Sequence, residues 1–161
     1  MDPRIELLIQ VLDQAFDVRA WHGTTLKGSI RGLKLSLAVW RPAPGRHSIW
    51  EIMVHAAYWK YAVRRSLTGE SKGSFPRKGS DWPAVPSVPT AAGFKADVAL
   101  LRDQHALLRD AIAQLSPRRL KTTRKGLKWR NEQYIYGAAS HDLYHAGQIQ
   151  LIKRLFATQN H

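Results

Sequence analysis

Apolar residues recur at three- and four-residue intervals along most of this chain, and no comparable stretch keeps the two-residue alternation of a strand. Ile5, Leu8, Ile9, Leu12 and Phe16 share one helical face behind Asp2 and Pro3, residues suited to an N-cap and a first turn. A second helix is predicted from Ser48 to about Leu67. Ser48 and Glu51 form a capping-box pair, and Gly69 lies where a helix can end on a left-handed residue. A third follows from about Thr90, with Phe94, Val98, Leu101, His105, Leu108, Ile112 and Leu115 alternating steps of four and three. A fourth runs from about Asn131 to Phe156 and places Tyr134, Gly137, Ala138, His141, His145, Gln148 and Ile152 on one face. The connections are long: residues 20–47, with a short helix near Leu26 to Leu35, and the Gly/Pro/Ser-rich residues 69–90. The pattern is that of an all-α protein, a four-helix bundle with long connections and an additional short helix.

The second connection is long enough to cross the bundle. Such a crossing would set helices two and four antiparallel and helix three parallel to helix two, but periodicity alone leaves the topology open. At about 1.5 Å per residue, His55 lies about 10 Å into helix two, and His141 and His145 about 15 and 21 Å into helix four. All three are mid-helix, so an antiparallel pair would bring them to similar levels.

His141 and His145, one turn apart on one face, suit a shared metal ion. An HxxxH pair alone equally suits two hydrogen-bonded or solvent-facing histidines, and it is His55, on the apolar side of another helix, that tips the balance toward a metal. His105 lies in the core stripe of helix three and reads as a hydrogen-bonded interior residue. His47 precedes the helix-two cap, while His22 and His161 fall in a connection and at a terminus; none of these reads as a ligand. Glu51, one turn before His55, could act as a base, although capping is its commoner role. Gln148 could orient a bound water or join helices, and is left outside the site. Trp82 could close over a pocket, and Gly137, Ala138 and Gly147 would let helix four pack closely.

With 161 residues the chain suits a single domain, residues 1–161, with one core. It has no cysteine, which excludes disulfides, thiolate ligands and a cysteine nucleophile. The start lacks a signal-peptide layout and no apolar run reaches the length of a membrane span, so a soluble cytoplasmic protein is expected. The net charge of +13 calls for an anionic partner or a solvated basic surface. Seven of the thirteen residues from Arg118 to Arg130 are basic and none is acidic, and Pro117 and Gly126 mark the stretch as a loop. Trp129 is its only aromatic residue, which argues against nucleic-acid recognition by base stacking.

Two segments, WRPAPGRHSIWEIMVHAAYWKYAVRRSLTGE and HDLYHAGQIQLIKRL, with the WP-containing loop between them, resemble the DinB/YfiT-like superfamily of metal-dependent enzymes. The resemblance covers nearly the whole chain. It implies a crossover bundle, a homodimer and a divalent transition ion, nickel or zinc, held by His55, His141 and His145 with water completing the shell. Some members are S-transferases or isomerases that use glutathione, mycothiol or bacillithiol, and many have no assigned reaction.

Three neutral imidazoles and an open position are what a catalytic ion needs. Two enzymatic readings follow, both with a small-molecule substrate. In a thiol-dependent S-transferase, the ion would acidify a low-molecular-weight thiol cosubstrate, supplying the nucleophile that the chain lacks, and the basic loops could attract an anionic partner. In a metal-dependent hydrolase, the ion would activate water, with Glu51 the nearest base by spacing. The alternative is a non-enzymatic module that binds nucleic acid or an acidic partner through its basic loops.

Overall fold

A computed structural model describes residues 1–159, and His161 lies outside the described residues. Helix α1 (Pro3–Phe16) starts at Asp2, whose carboxylate accepts the Arg4 amide. Two short helices follow, α2 (Leu26–Ser29) and α3 (Leu35–Val39). The one short helix expected near Leu26 to Leu35 is thus two, separated at Gly32, whose φ of 67° is outside the helical range. Helix α4 (Ile49–Thr68) has the complete Ser48–Glu51 capping box and stops at Gly69, φ 86°. Helix α5 (Ala91–Ala113) is capped by Thr90, and α6 (Asn131–Gln159) runs to the end of the described residues. The basic stretch holds only a 3₁₀ turn, Pro117–Arg119, as its proline and glycine suggest. Among the described residues there is no strand, only two isolated bridges.

Side-chain levels give the topology of the four long helices. Trp50 meets Phe94 edge to face at 5.3 Å, both near the starts of their helices, so α4 and α5 are parallel. Ile52 and Ile152 line one cavity and Val63 and Tyr134 another, so α4 and α6 are antiparallel. Phe16 stacks on His105 while Asp13 pairs with His105 and Arg109, so α1 opposes α5. Residues 69–90 are therefore the crossover that parallel α4 and α5 require. They lie along the bundle: Tyr61 Oη accepts the Gly73 and Ser74 amides, and Arg77 forms two hydrogen bonds to Asp97 on α5.

The core has two apolar clusters. One gathers Phe16, Trp50, Met53, Leu101 and Ile149; the other gathers Leu12, Leu67, Leu108, Ile112 and Ile135. Fully burying side chains of this size contributes roughly 1.5–3 kcal/mol each. His105 has the interior role expected of it, hydrogen-bonded to Asp13 at 3.1 Å. The expectation for Gly137 and Gly147 fails: a Cβ at either would meet nothing within 4 Å, so neither is required by close packing, whereas Ala138 is buried.

Candidate metal centre

His55 comes from the middle of α4, and His141 and His145 from the facing turns of antiparallel α6. Their rings meet through the same atom. His141 Nε2 is 3.1 Å from His55 Nε2 and 3.0 Å from His145 Nε2, and candidate donor atoms of all three lie within 4.8 Å of one another. Imidazole nitrogens held about 2.1 Å from one ion would be about 3.0 Å apart at a right angle and about 3.4 Å apart at the tetrahedral angle. The spacing fits a shared ion.

The outer faces of the rings set their tautomers. His55 Nδ1 donates to the Asp81 carbonyl oxygen at 2.6 Å, and His145 Nδ1 donates to Gln148 Oε1 at 2.6 Å. Both acceptors require the proton on Nδ1, so both Nε2 lone pairs point inward. Asp81 accepts from a left-handed backbone, φ 63°, which aspartate tolerates better than most residues. Its carboxylate also takes the Trp59 indole N–H at 2.8 Å. Trp82 lies flat on His55 at 3.8 Å, with His47 stacked on its other face at 3.6 Å.

A DinB superfamily profile matches residues 19–149, most of the chain and all three histidines. The chain belongs to the DinB superfamily. Neither a curated protein nor a solved structure matches it.

In this DinB protein, burial keeps the ligand-type histidines neutral. Desolvation lowers His141 to about 3, helped by His145, His55 and Lys60, and lowers His145 to about 4 against the opposing bond from Gln148. His55 is also lowered, chiefly by desolvation, with the Asp81 carbonyl opposing. Neutral imidazoles are the form that ligates. The cluster opens on a chamber of about 530 Å³ with apolar walls that include Ile52, Leu151, Ile152 and Leu155, and with Arg46 and His47 also on its lining. A second cavity, about 420 Å³, reaches His141 beside Trp59.

Glu51 is not placed as a free base. Its carboxylate accepts from the Ser48 backbone N–H and from Arg41, completing the cap and an ion pair. Desolvation, the largest single influence, pushes its pKa up, but these bonds together outweigh it and hold the carboxyl below the usual carboxylate range. His47 stands 3.7 Å from it and on the chamber wall, where its place before the helix gave no hint of the Trp82 stack. His22 is exposed in the first connection.

Two residues that carried no signal in the sequence lie beneath the histidines. Lys60 and Asp142 form an ion pair between α4 and α6, each side chain 1% exposed. Burial pushes the pKa of Asp142 up, and the Lys60 ammonium opposes that rise. Lys60 also sits 4.9 Å over the Phe16 ring. A lysine and an aspartate inside apolar helices could have been sought as an interhelical pair, but only the helix register joins them.

Proposed function

We propose that His55, His141 and His145 hold a divalent transition ion, nickel or zinc, and that the protein is a metal-dependent S-transferase acting on a low-molecular-weight thiol and an apolar electrophile. The observation that carries the reading is the convergence of three Nε2 atoms, two of them with their lone pairs turned inward, on an open chamber. Such an ion supplies Lewis acidity that lowers the pKa of a thiol or a water.

The remaining chemistry belongs to the chain. Asp81 and Gln148 orient His55 and His145, and Trp82 fixes the His55 ring. Ile52, Leu151, Ile152 and Leu155 offer an apolar wall for the electrophile and keep water from it. The thiol sulfur bonds to carbon as a leaving group departs with the bonding electrons and the thiol proton passes to solvent. Transfer is favoured over hydrolysis because water attack calls for a base, and the nearby carboxylates are poorly placed for it: Glu51 is engaged by Ser48 and Arg41, Asp142 is buried against Lys60, and Asp81, half exposed, takes the Trp59 indole N–H on the outer side of His55.

We also take the working form to be a homodimer. Tyr144, Leu151 and Leu155 are exposed along α6 on the rim of the chamber, and a second copy would cover them and close the chamber to water. Among the described residues no helix is long and apolar enough to cross a membrane.

Elemental analysis of tag-free protein purified without chelator or added metal tests the centre. The expected result is close to one transition ion per chain, lost in His145→Ala. An empty parent that takes up neither nickel nor zinc would overturn the reading. Consumption of a thiol with an apolar electrophile, dependent on the ion, then tests transfer against hydrolysis.

A further inference from the structure

On the Trp59 side of His141, the 420 Å³ cavity continues into another of about 480 Å³, the two sharing Trp59, Val63 and Tyr134. The end nearer the histidine is aromatic: Trp59, Trp129, Tyr134 and Tyr136 line it, and Trp59, Trp129 and Tyr136 keep 37–47% of their surface exposed. The far end is cationic, lined by Arg65, Lys72, Arg124 and Lys125. No acidic residue lines either part.

Nothing in the described residues neutralises those four cations. Arg65 donates to the Ser71 carbonyl and Arg124 to the Arg65 carbonyl, and none of the four forms an ion pair with a carboxylate. Ser66, on the same lining and 8% exposed, has a hydroxyl without a hydrogen-bond partner. Lys128 lies 4.9 Å over the Trp129 ring, adding a cation beside the aromatic end. Aromatic walls favour a flat ring by stacking and burial, while clustered cations without counter-charges favour an anion.

We infer that this groove binds small aromatic anions, the ring between Trp59, Trp129 and Tyr134 and the acidic group against Lys72, Arg124 and Lys125. The inference rests on the transferase reading and names the class of its thiol: with the apolar electrophile in the chamber, the groove takes an aromatic acid that carries the sulfur, its ring end approaching the histidine cluster at His141. The groove and the 530 Å³ chamber both border His141, so two substrates can reach the cluster by separate routes. The basic loop, residues 118–130, then serves a small anion.

The test is calorimetric titration of metal-loaded protein with 2-naphthalenesulfonate, whose sulfonate is a weak metal ligand. 2-Naphthol serves as the ring without charge and inorganic sulfate as the charge without ring. The naphthalenesulfonate should bind at least tenfold more tightly than either control. The exposed substitutions Arg124→Glu with Lys125→Glu, and separately Trp129→Ala, should each weaken it at least tenfold with the ion content unchanged. Equal binding to sulfate, or binding indifferent to both variants, would overturn the inference, and so would binding that disappears on metal removal while remaining insensitive to the charge reversals. Because the groove residues tested are not proposed ligands, loss of the probe with the ion retained separates this inference from the metal reading. Probe binding to protein that cannot take up metal would support the groove while refuting the centre.

Discussion

Lys60 and Asp142 are joined across α4 and α6 with both side chains 1% exposed, and Asp142 directly follows the candidate ligand His141. A pair so deeply buried has lost nearly all its hydration, so either partner alone would be a stranded charge. Lys60→Met or Asp142→Leu should each cost about 3–5 kcal/mol, and the double variant should recover much of that loss. Urea denaturation of the four proteins measures the coupling. The single variants should also hold metal less tightly, since the pair fixes the level at which α4 meets α6. Additive losses in the double variant would show that the two residues do not act as a pair.

The metal-free protein should lose stability as acidity rises. His141 and His145 are depressed to about 3 and about 4 by burial, while unfolded histidine titrates near 6.5. Below about pH 6.5 the unfolded chain therefore binds protons that the folded chain refuses, and stability falls as pH drops from there toward 4. One pH unit below that onset, the two histidines together should cost about 1–2 kcal/mol after discounting for residual solvent screening. Urea midpoints from pH 7.5 to 5.0 would show the decline, with a shallower slope in His145→Ala. A midpoint independent of pH across that range would refute the assignment.

The helices were legible because each carries its own period and caps: Ser48 with Glu51, Thr90, and Gly69 at a left-handed stop. The three histidines were legible as candidates because two are one turn apart and the third lies at a matching depth on another helix. What surrounds them was not. Asp81 and Trp82 sit in a Gly/Pro/Ser stretch without period, and their place on His55 depends on how residues 69–90 cross the bundle. Lys60 and Asp142 are 82 positions apart, and only the register of α4 against α6 pairs them. Glu51 shows the converse: a local motif, the capping box, accounts for a residue that proximity to His55 had made a candidate base.

Gln148 should matter to metal affinity without touching the ion. It accepts the His145 Nδ1 proton and so holds the Nε2 lone pair inward. Outer partners of this kind are worth about 10- to 100-fold in affinity. Gln148→Ala should weaken zinc by about tenfold in a competition titration, with the helical circular dichroism of the parent. Gln148→Glu should retain affinity, because a carboxylate also accepts that proton. Unchanged affinity in Gln148→Ala would mean that packing alone sets the ring.

The crossover segment should control the centre from a distance. Arg77 donates to Asp97 at 2.9 and 2.7 Å, and Asp97, itself 1% exposed, also takes the Trp50 indole N–H at 2.8 Å. That anchor lies four residues before Asp81 and five before Trp82, the residues that meet His55. Arg77→Ala removes the tether and leaves the Asp97 charge with only the indole, so α5 should lose stability as well, by about 1–3 kcal/mol. Segment and helix can be separated by experiment. Limited proteolysis should become faster within residues 71–80, and metal should dissociate faster, at urea concentrations where the bundle stays folded. Arg77→Lys, which restores a charge but not the two-nitrogen grip, should fall between parent and alanine variant. Faster proteolysis with unchanged metal release would mean that His55 is held by α4 alone and that Asp81 and Trp82 merely rest against it.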